Sequence, residues 1–122
     1  MITMTQQNLS IKRGDIVLVI FPHSDLQAAK TRPALIVQSN ELNTGLSQVI
    51  VAMIRSRIFR ANHPSRVLVK IKTKAGKISG LLGDSVVMTD NLATISQMAI
   101  DRIIGKLPMR DVDRALRHTL SL

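Results

Sequence analysis

A small, curved antiparallel β-barrel carrying one α-helix at its C-terminus is the fold this sequence predicts, and three features of the pattern predict it. Apolar residues come in short, β-rich runs bounded by turn residues. Only the final stretch, residues 109–122, repeats at helical spacing. The 122 residues suffice for one domain and one core. A chain of this size buries roughly two-thirds of its unfolded surface and needs no covalent staples. The cysteine count is zero, which excludes disulfides and thiolate metal sites. Residues 1–10, MITMTQQNLS, are polar and lack the basic-then-apolar layout of a signal peptide, so a flexible tail followed by a single domain over 11–122 is expected. No apolar run approaches the length of a membrane span, and a cytoplasmic protein is the expectation.

The elements follow in order. In RGDIVLVIF, Gly14 and Asp15 form a turn and Ile16 to Phe21 read as a buried strand. PHSDLQAAKTRP, bounded by Pro22 and Pro33, reads as a long loop, and loops of this length are often functional. Ala34 to Ser39 and Gln48 to Ile54 are strand-like, with Asn43, Thr44 and Gly45 supplying turn chemistry between them. In VLVKIKTKAGK, Val67, Val69, Ile71 and Thr73 alternate with Leu68, Lys70, Lys72 and Lys74. That period of two predicts a half-exposed strand, closed by a hairpin at Ala75-Gly76-Lys77. Gly83 to Thr89, a short ATISQ and DRIIGKLP complete the strands. In the last segment Val112, Ala115, Leu116, Thr119 and Leu120 share one helical face. Asp111 and Asp113 stand near the start of that helix and Arg117 and His118 near its end, as the helix dipole favours.

Charge narrows the function. Seventeen Lys+Arg against eight Asp+Glu give a net charge of +9, which attracts nucleic acid or an acidic partner protein. Phe21 and Phe59 are the only aromatics, so an RNA ligand must be held mainly by arginine, lysine and backbone groups rather than by stacking. RSRIFRANHPSR holds a cluster of arginines, of which Arg55, Arg57 and Arg60 follow a central strand. Lys30 and Arg32 stand beside Pro33 at the mouth of another. For Arg32, spacing alone leaves two readings: a phosphate ligand held rigidly, or a loop-end arginine in a salt bridge to an aspartate. The lysines at 70, 72, 74 and 77 suit either an RNA backbone or a guard against edge-to-edge aggregation.

RGDIVLVIF, KTRPALIVQSN, VIVAMIRSR, HPSRVLV, GDSVVMTDNLATI and IIGKLP resemble, in order and spacing, the successive blocks of the MazF/PemK toxins of type II toxin–antitoxin modules. The resemblance runs from Arg13 to Leu122. It implies an SH3-like small antiparallel β-barrel of the MazF/Kid/CcdB kind, a homodimer, and metal-independent endoribonuclease activity on single-stranded mRNA. It also implies a small antitoxin that folds partly on the toxin, with operator DNA bound only through the antitoxin complex. Neither a cofactor nor a membrane is implied.

The same resemblance places catalytic roles on Arg32 and Asp90 and matches Arg57 to its pattern, with Ser56 as the nearby hydroxyl expected to serve in catalysis; Lys30, Arg55 and Arg60, by their charge and clustering, join Arg57 as candidates for RNA binding. Attack of a ribose 2′-hydroxyl on the adjacent phosphate builds negative charge on the phosphoryl oxygens, and a guanidinium fork fits two of them at once. Two positions depart from the family. Its members carry a threonine or serine directly after the V-I-V-A-x-I strand, where this chain has Arg55, with Ser56 next. Members using an acidic residue at Asp90 have an arginine two residues earlier, where this chain has Met88. These departures keep a second reading open: a catalytically degenerate protein of the toxin fold that binds antitoxin and co-represses its operon, or binds a protein target such as gyrase. His23 suits proton transfer near neutral pH or is an ordinary loop histidine; His63 reads as structural. The three histidines are too scattered to argue for a metal site.

Overall fold

The computed structural model describes residues 10–22 and 29–122. Six antiparallel strands form one curved sheet: β1 (Asp15–Pro22), β2 (Ala29–Ile36), β3 (Gln48–Arg55), β4 (Arg66–Val69), β5 (Ser85–Ser96) and β6 (Ile100–Lys106). Their order across the sheet is β4-β5-β3-β2-β1-β6. Two helices complete the described residues, α1 (Lys74–Ser79) and α2 (Arg110–Leu120), with single 3-10 turns at Ile58–Ala61 and Gln97–Ala99.

The unbroken apolar runs of β1, β2 and β3 arise because the sheet is buried on both faces. Successive side chains of a strand point to opposite faces. Thus Ile16, Leu35, Ala52 and Ile54 pack with Val112 and Leu116 of α2 on one side. Their neighbours Val17, Val19, Ala34, Ile36, Val51 and Met53 form a second core with Ile100 on the other. Each of the valine, leucine, isoleucine and methionine side chains among them, fully buried, contributes about 1.5–3 kcal/mol. The C-terminal helix is where the spacing predicts it, and Arg13 fastens its first turn through a 2.7 Å ion pair with Asp113.

Three expectations are corrected. The alternation from Val67 onward continues as a strand only to Val69. The residues expected to close a hairpin, Ala75-Gly76-Lys77, lie inside α1 instead. Thr73 caps that helix by accepting the Gly76 N–H at 3.1 Å, and Gly80 ends it in the left-handed conformation at φ +73°. The lysines therefore form no row along a strand. Second, GDSVVMT and ATISQ are parts of one strand, β5. Third, β2 begins at Ala29, so Lys30 and Arg32 lie within a strand rather than before it.

Helix α1 lies tightly against β6. A Cβ at Gly80 would run into the Ile104 carbonyl, and one at Gly105 into the carbonyl of Ser79. Backbone thus meets backbone here, joining the segment that follows edge strand β4 to the opposite edge strand, β6.

Candidate nucleic-acid interface

The site is created where two central strands part. β2 and β3 pair only from Ala34↔Met53 to Ile36↔Val51. Beyond Ala34, β2 continues with β1 alone, and beyond Met53, β3 continues with β5 alone. Pro33 explains the stop. The Val37 N–H donates to Ile50 O of β3 at 3.1 Å, so the period of two turns the nitrogens of Leu35 and Pro33 toward β3 as well. Proline has no N–H to give, and the ladder ends. Continuing the register would also set Arg32 opposite Arg55, and like charges directly opposite one another destabilise a strand pair.

The fork opens into a cleft of about 1050 Å³. Lys30, Thr31 and Arg32 of β2 line one side, and Arg55, Ser56, Arg57 and Arg60 the other. Arg102 of β6 enters because β6 pairs with β1, with Leu18 opposite it. The segment Gly80 to Ser85 forms a third wall, and Asn91 of β5 reaches in. Six cations therefore face one space with a single carboxylate, Asp84, among the described residues. Arg32 is half-buried, and among the described residues no carboxylate pairs with it. Of its two open readings, the salt-bridged loop end has no support there. Arg60 lies over the exposed Phe59 ring at 5.7 Å, a cation–π contact at the edge of the lining.

The structure thus brings together Arg32, Ser56, Lys30, Arg55, Arg57 and Arg60, which come from separate blocks of the sequence. It does not bring Asp90 into the lining. Between Ala52↔Leu92 and Met53↔Met88 the β3–β5 register slips, leaving Thr89, Asp90 and Asn91 as a bulge on β5. Thr89 turns inward and donates to Ser65 O, while Asn91 turns into the cleft. Asp90 stays on the outside, paired at 3.0 Å with Arg66. Arg66 stands directly across from Met88, so the neighbouring strand supplies an arginine to Asp90 although position 88 does not. The same guanidinium donates to Arg60 O at 3.0 Å, tying the arginine-bearing turn to β5. None of Lys70, Lys72, Lys74 and Lys77 lines the cleft. His23 lies outside the described residues. His63 bonds Ser65 and packs edge-on to His118 of α2, at 6.1 Å between ring centroids. Among the described residues no three metal-ligating side chains converge, and no helix is long and apolar enough to cross a membrane.

The hydrogen bond from Arg66 lowers the Asp90 carboxyl pKa below its ordinary 3.8, against a smaller opposing effect of burial. The lowered value fixes the sign of a stability test. The pair's contribution is complete above the unfolded carboxyl's pKa and is lost as pH falls through the lowered folded value. Because 35% of the Asp90 side chain is exposed, solvent limits that contribution to at most about 1 kcal/mol. Asp90→Asn is therefore expected to cost no more than this in urea unfolding at neutral pH. The gap between variant and wild type should close as the series moves into acid, and a gap that stayed constant would place the effect elsewhere.

Sequence reasoning missed Asp84, Asn91, Thr31 and Arg102. Their approach depends on the bulge in β5, the capping of α1 and the β1–β6 pairing, all long-range features. Only the Thr73/Gly80 capping signals around α1 were readable in advance.

Comparison with known proteins gives the family and agrees with the fold. The family model described as PemK-like, MazF-like toxin of type II toxin-antitoxin system matches residues 12–120. Endoribonuclease MazF6 of Mycobacterium tuberculosis is 35% identical over 105 residues, spanning 83% of this chain and 88% of its own length. The solved Mycobacterium tuberculosis toxin MazF-mt6 superposes with a TM-score of 0.65 at 26% identity, covering 87% of this chain and 97% of that one. An endoribonuclease in complex with its cognate antitoxin from a mycobacterial species shares the fold, with a TM-score of 0.67 at 22% identity and coverage of 93% and 97%. With the family model spanning nearly every described residue and the relative matching over most of its length, the chain belongs to the PemK-like, MazF-like toxins of type II toxin–antitoxin systems.

Proposed function

We propose that this protein is the toxin of its module and cleaves single-stranded RNA in the forked cleft without a metal ion. The observation that carries the reading is the convergence of Arg32, Ser56 and the Arg55–Arg60 turn around one space wide enough for a phosphate and its flanking nucleotides. A ribose 2′-hydroxyl attacks the adjacent phosphorus, the P–O5′ bond breaks, and the products end in a 2′,3′-cyclic phosphate and a 5′-hydroxyl. Arg32 stabilises the charge gathering on the phosphoryl oxygens. Arg57, with Lys30, Arg55 and Arg60, holds the neighbouring phosphates. Ser56, exposed one residue beyond β3, supplies the hydroxyl that relatives carry at position 55 and assists proton transfer. Asp90 acts through Arg66, keeping the arginine turn in place.

The cationic surface also suits an acidic antitoxin segment, since complementary charge accelerates association. The homodimer, the cytoplasmic setting and the binding of operator DNA through the antitoxin complex belong to the same reading. Arg55 at the family's hydroxyl position and Met88 in place of its arginine favour the second reading, a toxin fold that binds without cutting. The two separate in one assay: a long single-stranded RNA incubated with the protein in excess EDTA. Fragments ending in 2′,3′-cyclic phosphate are the expected result. Intact RNA, with the protein shown to be folded, would leave only the binding reading.

A further inference from the structure

The cleft has two kinds of wall, and the cation-free one has chemistry that a phosphate backbone does not need. Gly80 to Ser85 carries no positive charge. It presents Leu82, which is wholly exposed, and the half-buried Asp84. Asp84 Oδ1 accepts the Ile71 N–H at 2.8 Å, which fixes the carboxylate on the strand–helix turn. Although six cations share the cleft, no ion pair joins any of them to Asp84 among the described residues. Oδ2 takes no part in that hydrogen bond, and Asp84 lines the cleft.

An RNA strand entering this cleft is sorted by charge. Its phosphates are drawn to the arginine walls and repelled by Asp84, so the nucleotide's base is turned toward Gly80 to Ser85. There Leu82 offers an apolar surface to the flat face of a base and Asp84 an acceptor to its edge. Resting on the nuclease reading above, we propose that Asp84 is a specificity-determining residue that selects a base bearing an exocyclic amine. A carboxylate accepts from such an amine, as it does from cytosine N4. Against uracil it meets carbonyl oxygens on both sides of the ring N–H, which sets acceptor against acceptor.

The test uses short RNA substrates in which each base flanking the cut is exchanged for the analogue lacking its amine: cytosine replaced by pyrimidin-2-one, adenine by purine, guanine by hypoxanthine. At one position the loss of the amine should lower kcat/KM on the order of tenfold with the wild-type protein. Asp84→Asn keeps a carbonyl oxygen for the Ile71 N–H but turns the free acceptor into a donor, and it should abolish or reverse that preference. A uniform fall in kcat for every substrate would make Asp84 a general base or a structural group and overturn the proposal, as would unchanged ratios. The wild-type substrate series alone decides the matter if the variant fails to fold: equal rates with and without the amine at every position overturn the proposal. If the wild-type protein cuts no RNA, the nuclease reading fails separately. Fluorescence anisotropy with the same oligonucleotides then tests recognition alone, with amine-dependent affinity lost in Asp84→Asn supporting it and equal affinities overturning it.

Discussion

Replacing Arg32 with alanine is expected to lower kcat for RNA cleavage by roughly 100- to 1000-fold, the loss typical of removing one preorganised donor to a developing oxyanion. The size of the effect follows from how Arg32 is held. Its backbone is paired with Val19 of β1, which is fully within the sheet, while the β3 side is left open by the fork. On the nuclease reading, that strand fixes the backbone from which the guanidinium reaches the phosphate. Arg32→Lys should recover only part of the activity, because a point charge replaces a two-pronged donor. The side chain makes no ion pair among the described residues, so the thermal midpoint of Arg32→Ala should stay close to wild type. Single-turnover cleavage with matched melting curves checks both halves. Near-normal cleavage by a folded Arg32→Ala would remove Arg32 from the mechanism.

Gly80→Ala is the substitution expected to damage stability most. The position combines φ +73°, which costs an L side chain about 1 kcal/mol, with a Cβ that would enter the Ile104 carbonyl. Overpacking of this kind adds about 1–3 kcal/mol, because backbone cannot step aside as a flexible side chain does. The total, about 2–4 kcal/mol, is a large share of a small domain's stability. Cleavage should fall as well at temperatures where the variant remains folded, since relief of the clash moves the wall that carries Asp84. Gly83→Ala, three residues on, is the matched control: a Cβ there meets nothing within 4 Å, and its cost should stay within about 0.5 kcal/mol. Equal urea midpoints for the two variants would show that α1 and β6 do not meet as tightly as described.

What the sequence disclosed and withheld follows a physical division. Local periodicity was enough for β1, β3 and α2, whose burial repeats over many residues. It misled after Val69, where Ile71 and Thr73 keep the alternation of a strand by coincidence while Thr73 and Gly80 cap a helix. A six-residue helix has too few turns to impose a period of its own. The neighbouring arginines were legible because charged side chains at the ends of apolar strands are conspicuous, whereas Arg32 and Ser56 were singled out by the family resemblance, spacing alone leaving Arg32 with two readings. Asp84 was not, since a lone aspartate beside a glycine reads as turn chemistry until the fold sets it beside six cations. The placement of Asp90 on the outer face was hidden for a related reason. A three-residue slip in pairing between β3 and β5 leaves no trace in the pattern of either strand.

The fork at Pro33 has one more consequence. Pairing of β2 with β3 is a zipper, and each further rung closed would shorten the gap by about 3.3 Å of strand. The slider stops where it does because a single hydrogen is missing from the chain. Because only alternate residues of β2 turn their nitrogens toward β3, moving the imino acid along the strand would shift the end of pairing two residues at a time, about 7 Å of strand. In this fold the length of the fork is measured out by an atom the protein lacks.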